Sequence, residues 1–231
     1  MSNWQIFVRE FLEREGYQMV LQGLLITLQI AVFGLLIGLV VGSILAIFKL
    51  LPSENAFAKF LKGFTNVYVA LFRGTPMVVQ LLITHFVLFP ALGISIPSSI
   101  EGTIAFGLNS GAYVCEIMRG GILSVDKGQM EAGRALGLSY GKTMIKIIIP
   151  QAVKNVIPTL GNEFIALIKE TSVVGFIAVV DVTRAFQAMA GSTYEYMIPY
   201  LMLAAIYLVL VLIITGLIKL IERRFRASDR N

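Results

Sequence analysis

Eight residues bring polar chemistry into stretches that are otherwise apolar: Arg73, Thr75, Asn109, Tyr113, Asn162, Glu163, Lys169 and Glu170. A charged side chain at bilayer depth is costly, so such groups face a bundle interior or a water-filled path, and they mark routes for solutes. Their chemistry is recognition rather than bond making. The carboxylates of Glu163 and Glu170 suit a cation, and backbone donors near Gly74 suit a carboxylate. Each residue also has a plainer use as an internal hydrogen-bond or ion-pair partner, and Lys169 serves equally to neutralise Glu170 or Glu163. Asn109, Tyr113 and Glu116 recur at i, i+4, i+7 and so form one helical stripe. Asn162 and Lys169 share a second face, with Glu163 and Glu170 one position round. An intramembrane enzyme needs a nucleophile with a base, or a metal cluster. One histidine (His85) and one cysteine (Cys115) supply neither a His pair nor an internal disulfide. A lone membrane histidine reads as a hydrogen-bonded packing residue.

The elements that position these residues are membrane helices. The chain of 231 residues is 57% hydrophobic and 14% charged, against about 45–50% and about 25% in soluble domains. Mean hydropathy is +0.81. The first apolar run is too long for a signal-peptide core and ends in no small-residue cleavage site, so the chain is expected to be uncleaved. Residues 1–19 are read as an interfacial helix, with Trp4, Phe7, Val8, Phe11 and Leu12 on one face and Trp4 at headgroup level. Spanning segments are expected at 20–48, 56–90, 101–119, 155–180 and 196–221, which makes five. Gly34, Gly38 and Gly42 line one face of the first, and Gly107 and Gly111 form a further small-residue pair, so both faces are set for close helix contact. The second segment is interrupted at Arg73-Gly74-Thr75-Pro76, because Pro76 lacks a backbone donor and disfavours helix at Thr75. Residues 181–194 are expected to be a short loop.

Orientation follows from Lys and Arg. The connector 49–62 (with Pro52, Ser53 and Asn55) holds three, the segment 119–154 six, and the tail Lys219, Arg223, Arg224, Arg226 and Arg230 five. The intervening segments on the other side hold two, none and one. Positive loops stay in the cytoplasm. This places the N-terminus outside and the C-terminus inside, and the formal charge of +5 serves orientation and contact with the lipid bilayer, with no nucleic-acid partner.

The polar segment Glu131–Pro150 lies on the cytoplasmic side by this count. It reads as a short helix from Glu131 to Leu136, a stop at Gly137, and a second amphipathic helix that closes at Pro150, with Ile145, Ile147, Ile148 and Ile149 pinning it to the bundle. Gly137-Leu-Ser-Tyr-Gly141-Lys142-Thr143 imitates a nucleotide-binding P-loop, but it has three residues between its glycines where four are required and is preceded by a helical pattern instead of a strand. No ATP site is placed on this chain.

Glu131-Ala132-Gly133, Gly137 and Ile147-Ile148-Ile149-Pro150 resemble the coupling loop of ABC-importer permeases, Glu-Ala-Ala, three residues, Gly, nine residues, Ile-x-Leu-Pro, with its spacing intact. Gly133 stands for the second Ala and Ile149 for Leu. Phe72 to Pro76, and Asn109-Ser110-Gly111-Ala112-Tyr113 followed by Glu116 and Arg119-Gly120-Gly121, resemble the polar amino acid uptake subfamily, the histidine, glutamine and arginine permease-like chains. The resemblance implies an all-α integral membrane protein with the type I ABC importer permease fold, a coupling-helix loop at 120–154, and a bacterial inner-membrane location. It implies that Glu131, Ala132, Gly133, Arg134, Ala135, Leu136, Gly137 and Pro150 serve ATPase coupling. The first helix would dock into a groove on a separate ATPase, as helix-in-groove contacts do. It further implies two ABC ATPase subunits carrying ATP and Mg, a second permease subunit, an extracytoplasmic amino-acid-binding protein, and a polar, possibly basic, amino-acid substrate, with no cofactor on this chain and no catalysis by it. A secondary transporter or a channel is the alternative. The first should show paired inverted repeats and the second a filter or charged ring, and neither is evident in the sequence.

Overall fold

The computed structural model describes residues 2–51 and 55–227, with side chains through 224. Pro52, Ser53 and Arg230 lie outside the described residues, as does the side chain of Arg226. The described chain is helical, without strands.

The N-terminal segment is short and docked. Ser2 and Gln5 cap α1 (Asn3–Val8) reciprocally, each side chain satisfying the other's backbone N–H. A π turn (Arg9–Glu13) and a left-handed Glu15 (φ 58°) then redirect the chain. Phe7 is buried and, with Phe11, packs on Val20, Val182, Phe186 and Met189, while Trp4 stays 57% exposed. Asn3 Nδ2 donates to Glu195 Oε1 at 3.0 Å, tying the segment to the turn before the last helix.

Helix α2 (Gly16–Lys49) is the spine. Its glycine face lies against α6 (Ser98–Leu123). A Cβ on Gly38 would meet Ser110, one on Gly42 would meet Val114, and in return one on Gly107 would meet Ile37 and one on Gly111 would meet Val41. The two small-residue faces found in the sequence are therefore each other's partner, and that pairing is used up within the chain. Helix α3 (Ala56–Gly74) ends at the proline break, and α4 (Met77–Ile83) leaves at 108° to it, continuing through a π turn (Thr84–Leu88) and a last turn, α5 (Phe89–Ala91).

After α6 come two short helices, α7 (Lys127–Ala135) and α8 (Tyr140–Thr143). A π turn (Met144–Ile148) leads without interruption into α9 (Ile149–Glu170). Pro150 thus opens α9 and does not close the helix before it. Proline is favoured in a first turn, where its missing N–H is an orphan anyway. Helix α9 also ends ten residues sooner than the 155–180 reading, in a 3₁₀ stretch (Thr171–Ile177) and a left-handed Ala178 (φ 60°). The expected loop after it is helix α10 (Val182–Thr193), because Asp181 caps it, accepting from Thr183 N at 3.1 Å and Arg184 N at 2.9 Å. The last helix is α11 (Met197–Ala227).

The main core joins Ile30 and Ala31 of α2, Leu81 of α4, Ala105 and Phe106 of α6, Leu167 and Ile168 of α9, and Val174 and Ile177 beyond it. Among the described residues, Gly16–Lys49 and Met197–Arg224 are long and apolar enough to cross a membrane unaided, and the bent pair Ala56–Gly74 with Met77–Ala91 makes a third if taken as one span. Helices α6 and α9 carry Asn109, Tyr113, Asn162, Glu163, Lys169 and Glu170, and lie packed against each other and α2.

Candidate functional site

The break before α4 is built from side chains that replace lost backbone bonds. Pro76 has no N–H to give Phe72 O, its normal helical acceptor. Gln80 Nε2 supplies the donor, lying 2.8 Å from Phe72 O, 3.0 Å from Thr75 O and 2.8 Å from Thr75 Oγ1. Thr75 Oγ1 donates to Leu71 O at 2.8 Å, doing for that carbonyl what the Thr75 N–H would have done. Asn109 Nδ2, from α6, donates to Gln80 Oε1 at 2.8 Å and approaches Phe72 O at 3.3 Å. Both amides are buried. An unsatisfied polar group in hydrocarbon costs several kcal/mol, and this network supplies donors to the carbonyls of Leu71, Phe72 and Thr75. Sequence reading found Thr75 and Asn109 but missed Gln80. Its signal was the single amide in the apolar run from Met77 to Ile83.

The bend presents Arg73. Its guanidinium carbon lies 5.2 Å from the centroid of the Tyr113 ring, one helical turn below Asn109, a cation–π distance. Arg73 and Tyr113 form one wall of a cleft of about 430 Å³ that continues past Glu116, Gly120 and Ser124 of α6 and its border, and Asn155 and Thr159 of α9. Glu116 is already engaged, by Lys49 Nζ and by Arg119 Nη2 at 2.8 Å. Arg73 is the cation among the residues that line this cleft.

Glu163 is half-buried and accepts from Ser110 Oγ at 2.8 Å, so α9 is tied to α6 at the small-residue face. It also lies within electrostatic reach of Arg73 and Glu170, while Glu170 interacts with Lys169. Asn162, Lys169 and Glu170 are exposed and do not line the cleft. The structure brings Arg73 and Tyr113 together at the cleft and joins Thr75 and Asn109 through Gln80 at the bend, while Glu163, bonded to Ser110, is outside the cleft lining. His85, read as a packing residue, contacts Glu101 through Nδ1.

At the far end, α7 begins earlier than the reading from Glu131, because Asp126 caps it, accepting from Gly128 N at 2.6 Å. Its C-terminus closes as a Schellman motif: Leu138 N donates to Gly133 O at 3.1 Å and Gly137 N to Arg134 O at 3.0 Å, with Gly137 at φ 80°. Glu131, Ala132, Arg134, Ala135 and Leu136 are all exposed, Leu136 at 82%. Gly133 is the exception. It is buried against the fully buried Thr143 of α8. The isoleucine cluster does less than expected: Ile148 packs with Val125 and Ala152, Ile147 lies at the edge of that cluster, and Ile145 is 67% exposed.

These features have counterparts in known proteins. Residues 38–227 match the family model described as "Binding-protein-dependent transport system inner membrane component". The chain is 42% identical over 210 residues to the arginine transport system permease protein ArtQ of Bacillus subtilis (strain 168), covering 91% of this chain and 94% of that one. It is 42% identical over 205 residues to a putative glutamine transport system permease protein GlnP of Rickettsia conorii, covering 89% and 92%. A solved amino acid ABC transporter with histidines superposes with a TM-score of 0.83 at 40% identity, covering 93% of this chain and 98% of that one. The MetNI methionine ABC transporter, at 20% identity and a TM-score of 0.71, shares the fold. With the coupling-loop motif, the all-helical fold and a family match over most of its length, this chain belongs to the binding-protein-dependent transport system inner membrane components.

Proposed function

We propose that this permease subunit serves an ATP-driven importer of polar, possibly basic, amino acids, and that the Arg73–Tyr113 cleft and Glu163 lie on the solute path. The observation that carries this reading is a cation at the cleft wall and a separate carboxylate, bonded to Ser110, inside one membrane bundle. Arg73 at the proline break and Glu163 on α9 are near enough to feel each other, yet Arg73 rests on an aromatic ring and Glu163 on a hydroxyl. A zwitterionic solute has both charges to complement. Arg73 takes the carboxylate and Glu163 the ammonium or a basic side chain, with Thr75, Asn109 and Tyr113 framing the path. Asn162, Lys169 and Glu170 act at its rim, where Lys169 moderates Glu170.

Five crossings are proposed, with α6 and α9 inside the bundle and the bent pair as one span, the N-terminus outside and the C-terminus in the cytoplasm. The segment 120–154 then lies in the cytoplasm. Its exposed Glu131, Ala132, Arg134, Ala135 and Leu136 dock on an ATPase subunit, Gly133 and Gly137 shape the hairpin, and Pro150 starts the helix that carries the motion inward. Two ATPase subunits holding ATP and Mg, a second permease and an extracytoplasmic binding protein complete the assembly. A stroke arises because ATP binds one arrangement of this assembly better than the other.

The test is uptake into vesicles holding the whole importer, with a panel of labelled amino acids, with and without internal ATP. Polar amino acids are expected to accumulate only with ATP. Accumulation without nucleotide, or with residues 131–137 scrambled, defeats the reading.

A further inference from the structure

We propose that Gln80 is a positioning residue for solute recognition: it sets the bend that aims Arg73 into the cleft, so that it acts on affinity through Arg73. The proposal rests on the assignment of Arg73 to the solute path.

The hydrogen bonds determine one another. Phe72 O and Thr75 O are acceptors only, so the Gln80 amide must turn its nitrogen to them, its two hydrogens shared among those carbonyls and Thr75 Oγ1. That leaves Oε1 pointing at α6, where a donor is required, and Asn109 Nδ2 provides it at 2.8 Å. One buried side chain therefore holds the last turn of α3, the residue after Gly74, and α6 together. Arg73 lies between two of the atoms held, Phe72 O and Thr75 O, and its guanidinium reaches Tyr113 four residues along from Asn109. Removing the Gln80 amide frees Thr75 O, leaves Phe72 O only the longer bond from Asn109 Nδ2 at 3.3 Å, and takes away the 2.8 Å bond by which α6, the helix that bears the Tyr113 ring, holds the bend. Gly74 offers no resistance to this motion, since nothing lies within 4 Å of the place a Cβ would take. No atom of Gln80 lines the cleft, so it acts only by placing its neighbour.

The experiment is a double-mutant cycle in the assembled importer, with Gln80→Leu, Arg73→Ala and both together, reading KM and maximal rate of uptake and the ATPase rate. Gln80→Leu is expected to raise KM about tenfold while maximal rate and ATPase stay within about twofold, and to add less than about twofold in the Arg73→Ala background. Gln80→Glu keeps the acceptor for Asn109 but lacks the donors, and is expected to behave like Gln80→Leu; it carries the cycle if the leucine variant is not produced. An arm free of any substrate uses Arg73→Cys in a Cys115→Ala background. The rate of labelling by a charged thiosulfonate is expected to change at least about fivefold when Gln80→Leu is added. Unchanged labelling, or KM effects that add in full across the cycle, overturns the proposal. If labelling shifts while the wild-type importer takes up no polar amino acid, the placement of Arg73 by Gln80 stands and the solute assignment falls.

Discussion

Gly133 and Thr143 pack so closely across the coupling hairpin that a Cβ on the glycine would meet Thr143 Oγ1 at 2.9 Å and overlap the methyl beside it. Thr143 is fully buried, and its hydroxyl donates to Ser139 O at 3.1 Å. The glycine that departs from the family pattern thus answers to the threonine opposite.

Gly133→Ala weighs two effects. Alanine gains about 1 kcal/mol of helix propensity, and overpacking against a buried neighbour costs about 1–3 kcal/mol. The clash is expected to win, lowering the melting temperature of the purified complex. Thr143→Ser removes the methyl, the nearer of the two clashing atoms, and keeps the hydroxyl, so the double variant should recover in part. Melting curves of the three variants decide it, and a higher melting point for Gly133→Ala alone would contradict the packing account.

Leu136 is 82% exposed at the tip of α7. Substituting Asp there leaves the fold of this chain intact but should weaken binding of the ATPase subunit by about 2 kcal/mol or more, the loss typical of an interface anchor. Co-purification of the ATPase should fall sharply while the permease melts as before. Undiminished co-purification would place the docking contact elsewhere.

If Arg73 meets the solute as proposed, Arg73→Ala removes a charged partner, and hydrogen bonds to charged groups contribute about 1.5–3 kcal/mol, so uptake KM should rise about ten- to hundredfold. Arg73→Lys keeps the charge but loses the planar group over Tyr113 and should rescue only in part. Full rescue by lysine would mean that the ring contact contributes nothing.

Glu163→Gln keeps a partner for Ser110 Oγ, now 2.8 Å from the carboxylate, while removing the charge. Uptake of arginine and lysine should drop at least about tenfold, with neutral polar amino acids far less affected. Unchanged uptake of basic amino acids would take Glu163 out of the site.

The sequence shows the parts of this protein that depend on type and spacing. Gly34, Gly38 and Gly42 announced a close helix contact, and the partner proved to be the other small-residue face, at Gly107 and Gly111. Arg73 to Pro76 announced the break. What spacing cannot show is a bond between distant positions. Ser110 and Glu163 are 53 residues apart, and Asn109 and Gln80 are 29 apart. Gln80 carries no motif to mark it, because its acceptors are carbonyls, which every sequence has. Pro150 was read as a terminator because the same residue ends one helix or begins another, and only the π turn ahead of it decides which. Helix α10 went unseen because twelve residues with few strongly apolar side chains resemble a loop unless Asp181 is taken as its cap.

From Tyr140 to Glu170 the main chain coils without a gap, through α8, the π turn and α9. At about 1.5 Å per residue, that continuous stretch places Glu163 roughly 35 Å from the hairpin at its base. If the hairpin docks on an ATPase as proposed, a drive shaft of this kind has no clutch, because the coil runs unbroken from the docking end to the end that bears the carboxylate. Its prolines are Pro150, at the start of α9, and Pro158, five residues short of Glu163, so a push of an ångström or two at the hairpin would arrive at Glu163 as a swing through those two joints.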